Sequence, residues 1–187
     1  LRISFEKGNL VSSDKIEDIL DEVFENRDFN ALPTDLNILA TDYNTGDAVI
    51  FNKKNNVPIK TAILASISIP SIFRPVHING KYYVDGYLSE NLPLSSIQNG
   101  LESIVVNVTG RNAFAPLQED AITGLSLVGN LERSVRIIMY NQARSALEKL
   151  RTPYVLIEPD VAHFKTSHFL KMDAIRAAGY KAAKAAL

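Results

Sequence analysis

The sequence contains no cysteine. That excludes disulfides, thiolate metal sites and a cysteine nucleophile, and it leaves the compartment open. Long apolar runs are also missing. The longest is four residues, as in Ile137-Ile138-Met139-Tyr140, whereas a helix crossing a bilayer needs about 20. A surplus of positive charge is lacking too. With 20 basic and 21 acidic side chains the net charge is −1, so a nucleic-acid partner is not expected, because phosphate binding draws on excess positive charge. What remains is an ordinary globular composition: 187 residues, 46% hydrophobic, 22% charged and 8% aromatic. This is about one domain's worth of chain, long enough to bury a core.

Charge is distributed unevenly. Residues 1–30 carry 4 basic and 8 acidic side chains, and residues 134–187 carry 9 and 4. Solvated helix faces of opposite sign account for this, since the basic density is too low to define an anionic docking surface.

Periodicity gives alternating elements. Asp14 with Ile16, Ile19, Leu20, Val23 and Phe24 has helical spacing. Residues 36–41 and 48–52 read as strands around the Asn44-Thr45-Gly46 turn, and 59–66 as a short buried helix. Val76-His77-Ile78 and the stretch 81–84 flank Asn79-Gly80, a strong hairpin signal. Residues 103–108 read as a buried strand, and 154–157 as another. Between them, Val128, Leu131, Val135, Ile138, Ala146 and Leu150 define one face of a long helix, and 172–187 is a last helix. Strands separated by helices indicate an α/β fold.

The densest chemistry lies between Leu36 and Pro93. Asp85 ends an apolar strand and Gly86 follows, which would leave a carboxylate at a sheet edge while the chain turns away. Around it stand Leu39-Ala40-Thr41-Asp42 with Thr45-Gly46, Ala65-Ser66-Ile67-Ser68-Ile69-Pro70, Phe73-Arg74-Pro75-Val76, Tyr83-Val84-Asp85-Gly86 and Asn91-Leu92-Pro93. In this order and spacing the words resemble the patatin-like phospholipases, a family of serine acyl hydrolases. The stretch 173–187, with Gly179-Tyr180, looks like that family's closing helix.

The resemblance implies a three-layer α/β/α fold with a mostly parallel central sheet. It implies that residues 1–187 are the C-terminal part of a single domain. It further implies a Ser–Asp dyad in which Asp85 is the general base, within the motif Asp85, Gly86, Tyr87. Tyr87 stands where the family usually has a small residue. The family's Gly-x-Ser-x-Gly nucleophile turn does not occur here, and neither does its glycine-rich oxyanion loop. The near match Gly124-Leu125-Ser126-Leu127-Val128-Gly129 is one residue too long, follows Asp85, and leads into the long helix. In the family both missing pieces lie upstream of the residues matched here, and the chain begins at Leu1 and not at Met.

The expectation is therefore an acyl lipid or phospholipid substrate, and a partner in the upstream segment carrying Gly-x-Ser-x-Gly. No metal or organic cofactor is expected, and this chain alone is expected to be inactive. Cytoplasmic placement or peripheral membrane contact is favoured, with secretion left open. The alternative is a catalytically dead interaction module.

Other residues draw structural readings. Ser66 and Ser68 are expected to cap backbone or pack, and Asp42 to cap the turn that follows it. Asp42 with Asp85 as a magnesium pair, and His163 with His168 as a zinc pair, have no supporting spacing. His77 reads as a hairpin surface residue and Arg74 as one end of a surface salt bridge, with an anionic headgroup as its alternative partner. Asn107-Val108-Thr109 fits a glycosylation sequon but falls at a strand end.

Overall fold

The computed structural model describes residues 14–24, 27–70, 72–97, 101–110, 126–161, 164 and 171–187. The His163/His168 pair lies outside them. They form two compact units, 1–91 and 92–187.

The first unit begins with helix α1 (Asp14–Phe24), then strands β1 (Ile38–Asp42) and β2 (Ala48–Phe51), helix α2 (Ile59–Ser66), and strands β3 (Val76–Ile78) and β4 (Lys81–Asp85). The strands form one sheet in the order β2-β1-β4-β3, and every pairing in it is antiparallel. Turn chemistry dictates the β1–β2 and β3–β4 pairings. Five residues separate β1 from β2, and two separate β3 from β4. Connections so short can only reverse the chain, since a parallel neighbour needs a crossover of about a dozen residues. Asn79 and Gly80 both have positive φ, 49° and 82°, the backbone of the type I′ turn that matches strand twist.

Alternation on β1 and small residues on α2 build the core of this unit. Ile38 and Ala40 share one face of β1, and Ile59, Ala62 and Ala65 recur along one side of α2; Ala40 and those three are fully buried. Alanines let the helix approach the sheet closely. Phe51 and Tyr83 add an edge-to-face ring pair, centroids 5.2 Å apart, to the same cluster.

The second unit holds β5 (Ser103–Val106), helix α3 (Leu127–Lys149), β6 (Tyr154–Ile157) and helix α4 (Met172–Ala186). Strands β5 and β6 are parallel, and the chain between them passes through α3, as a parallel connection requires. The mostly parallel sheet expected from the sequence is thus not what the described strands form. They are mixed α/β, with parallel pairing confined to β5 and β6.

The long helix also docks by a different stripe. Among its described residues Met139 and Ala143 are buried, and Leu147 and Leu150 pack on Leu92 and Val105. Leu131 and Ile138, expected on the buried face, are 65% and 66% exposed. The helix is apolar on more than one side, and periodicity finds a stripe without saying which one meets the sheet. Among the described residues no helix is long and apolar enough to cross a membrane.

Candidate active site

Asp85 is the last residue of β4, and its surroundings fix it from several sides. Its backbone N–H donates to the Ser68 carbonyl just after α2, at 3.0 Å. Its own carbonyl accepts from the Thr41 hydroxyl of β1, at 2.8 Å. Its carboxylate Oδ1 accepts from the Tyr87 backbone N–H, at 2.9 Å. The carboxylate is half-buried, and burial pushes its pKa above the usual carboxylate value while the Tyr87 bond works the other way. A base needs its proton affinity raised towards working pH, and partial burial has that sign.

The turn after Asp85 depends on the absence of a side chain at Gly86. A Cβ there would lie 2.7 Å from the Leu39 carbonyl carbon, nearer still to its oxygen, and 3.2 Å from the Ala40 nitrogen. The turn thus rests directly on the backbone of β1. Tyr87 departs from the small residue expected at its position, but its contribution to Asp85 is a main-chain N–H that any non-proline side chain leaves in place.

Asp42 is held apart from this site. Antiparallel pairing sets Ala40 opposite Asp85 and Asp42 opposite Tyr83, so the C-terminal ends of β1 and β4 point in opposite directions. The buried Asp42 side chain does cap its turn: Oδ1 accepts from Asn44 N–H at 3.0 Å and Thr45 N–H at 3.4 Å, and Oδ2 from Lys81 Nζ at 3.2 Å. The Asn44 bond first, then the Lys81 bond, hold its pKa below the usual value. A lowered folded-state pKa contributes stability that is fully present above the unfolded value of about 4 and is lost as pH falls through the folded one. In thermal melts, wild type is expected to exceed Asp42→Asn at neutral pH and to converge on it in acid. A gap that stays constant down to pH 2 would contradict this account.

The remaining candidates fall into structural roles. Ser68 is buried and its hydroxyl donates to the Leu64 carbonyl at 2.5 Å, a return bond to the last turn of α2. Ser126 Oγ accepts from the Gly129 N–H at 3.1 Å and caps α3. His77 is exposed on β3 and lies against the Tyr82 ring, centroids 4.9 Å apart. Asn107 is buried, and its amide donates to Glu158 Oε1 at 2.8 Å, so the sequon is not presented to solvent. Arg74 is exposed and borders a cleft that Ile67 and Phe73 also line. Among the described residues no ion pair to it is formed.

A family model described as patatin-like phospholipase matches residues 1–97, just over half the chain. The chain belongs to the patatin-like phospholipase family. The matched stretch contains Asp85, Gly86, Tyr87 and every contact to Asp85 given above. Relatives include uncharacterized NTE family proteins of Mycobacterium tuberculosis and Mycobacterium bovis. Each is 28% identical over 195 residues, covering 95% of this chain and 33% of the relative. Another such protein of M. tuberculosis is 26% identical over 149 residues, covering 78% of this chain and 41% of the relative. The chain spans about a third of the length of the first of these curated relatives.

Sequence reasoning singles out Asp85 and Gly86 but not Thr41 and the Ser68 carbonyl, which hold the Asp85 main chain. Nothing local marks them. A threonine in a strand is common, and a carbonyl is present at every residue.

Proposed function

We propose that this chain is the Asp-bearing part of a carboxylic ester hydrolase acting on phospholipids or other acyl lipids by a Ser–Asp dyad. The observation that carries the reading is the Asp85 carboxylate, half-buried at a strand end, with pKa raised by burial and main chain fixed by Ser68 and Thr41. A serine hydroxyl is a weak nucleophile until a base takes its proton. In the reading, a serine of an upstream Gly-x-Ser-x-Gly segment attacks the acyl carbonyl while Asp85 accepts its proton. That proton passes to the departing alcohol as the acyl-enzyme forms. Asp85 then takes a proton from water, whose oxygen attacks the acyl carbon; the fatty acid leaves and the serine is restored. Both nucleophile and base come from the polypeptide, so the reaction needs no cofactor.

Treating the full-length protein with a fluorophosphonate and mapping the adduct by mass spectrometry tests this. The expected adduct is on a serine in Gly-x-Ser-x-Gly, upstream of the residues described here. An adduct on a serine of residues 1–187, or no adduct at all, overturns the reading. The second result would favour an interaction module without catalysis.

A further inference from the structure

Gly86 presents a problem that the surrounding contacts solve. Glycine is required there for close approach to β1, yet glycine also leaves the backbone free to rotate. The 85–86 peptide is the pivot between β4 and the 3-10 turn Gly86–Leu88. Its rotation would swing the carboxylate and disturb the Tyr87 N–H that holds it.

Thr41 sits where it can stop that rotation. Its side chain is buried in the central strand β1. Its hydroxyl lies 2.8 Å from the Asp85 carbonyl oxygen and 2.8 Å from Ser89 Oγ, which in turn lies 3.2 Å from the Gly86 carbonyl oxygen. Between them the two hydroxyls reach the carbonyl of the 85–86 peptide and the carbonyl of the peptide after it. Two hydroxyl protons serve these three contacts: Thr41 donates to the Asp85 carbonyl, and Ser89 donates either to Thr41 or to the Gly86 carbonyl. Strand pairing alone would be served equally well by valine at this position.

We propose that Thr41 is a positioning residue for Asp85, its hydroxyl locking the Asp85–Gly86 peptide so that the carboxylate keeps one orientation over the sheet. The inference rests on Asp85 being the base.

The test uses the full-length protein with a p-nitrophenyl ester and phospholipid vesicles. Thr41→Val removes the hydroxyl at nearly constant shape, and Thr41→Ser keeps it. Thr41→Val is expected to lower kcat by about 10- to 100-fold, the scale of a misplaced reacting group, with KM within about twofold of wild type. Its acidic limb in the pH profile of kcat is expected to shift. Thr41→Ser is expected to recover kcat to within about threefold and to restore the limb. Unchanged kcat in Thr41→Val, or an equal loss in Thr41→Ser, overturns the proposal. Asp85→Asn is run in parallel: turnover retained there overturns the reading of Asp85 itself, whereas an inactive Asp85→Asn beside a fully active Thr41→Val overturns only the positioning role. Should Thr41→Val fail to fold, Ser89→Ala reads the same chain. A kcat loss of about threefold or more at constant KM supports the proposal, and no loss overturns it.

Discussion

Replacing Asp85 with Asn in the full-length protein is expected to lower kcat for ester hydrolysis by about 10³- to 10⁴-fold while leaving the fold intact. The amide is nearly isosteric, and its oxygen still accepts from the Tyr87 N–H. What disappears is the capacity to take a proton. The same substitution carries a signature in stability. The carboxyl pKa is raised in the folded state by burial. A carboxylate of that kind costs nothing below the unfolded value of about 4, where both states are protonated. Its cost grows as pH rises through the folded pKa and is complete above it. Asp85→Asn is therefore expected to melt higher than wild type at pH 7.5 and together with it at pH 3. Stability traded for a charge kept out of water is common at catalytic carboxylates and has no use in a scaffold. Turnover retained in Asp85→Asn would sink the base assignment. A lower melting temperature at pH 7.5 would show instead that the charge supports the fold.

What the sequence discloses about this molecule divides along physical lines. The helix expected at 59–66 and the hairpin at Asn79-Gly80 are both present. The first depends on a short apolar repeat and the second on two residues that tolerate positive φ. Both signals are local. The mostly parallel central sheet is an expectation of the family resemblance, whereas the short β1–β2 and β3–β4 connections impose antiparallel pairing in the first unit. The expected face of α3 is met at Leu150, but elsewhere Leu131, Val135 and Ile138 compete with Ala143 and Leu147 for the same cluster. Only the packing partner decides that competition. At the site, Asp85 and Gly86 are legible because the chemistry of one and the bareness of the other stand side by side. Thr41 lies 44 residues away and touches Asp85 through strand pairing, which no local pattern encodes.

Gly86→Ala is expected to be the most damaging single methyl addition in the first unit, and the comparison with Gly80→Ala shows why. Gly80 has φ +82° and nothing within 4 Å of the place a Cβ would take. Alanine there costs backbone strain alone, about 1–2 kcal/mol. Gly86 carries no such φ restriction, but its Cβ would press into the Leu39 carbonyl and the Ala40 nitrogen. Those atoms belong to β1, which is flanked by β2 and β4, so the strand cannot retreat without loosening a ladder on one side. Overpacking against backbone of this kind costs about 3 kcal/mol, at the upper end of small-to-large substitutions. That corresponds to a fall of about 10 °C or more in melting temperature. If the turn relieves the clash by lifting away from β1, it carries Asp85 with it, breaking the bond from Thr41 to the Asp85 carbonyl. Gly86→Ala is thus expected to lose turnover even in the fraction that remains folded, whereas Gly80→Ala keeps wild-type kcat per folded molecule. Calorimetry and single-substrate kinetics on the two variants separate the effects. A Gly86→Ala protein melting within about 2 °C of wild type would mean that the turn does not rest on β1, and the account of how Asp85 is aimed would fall with it.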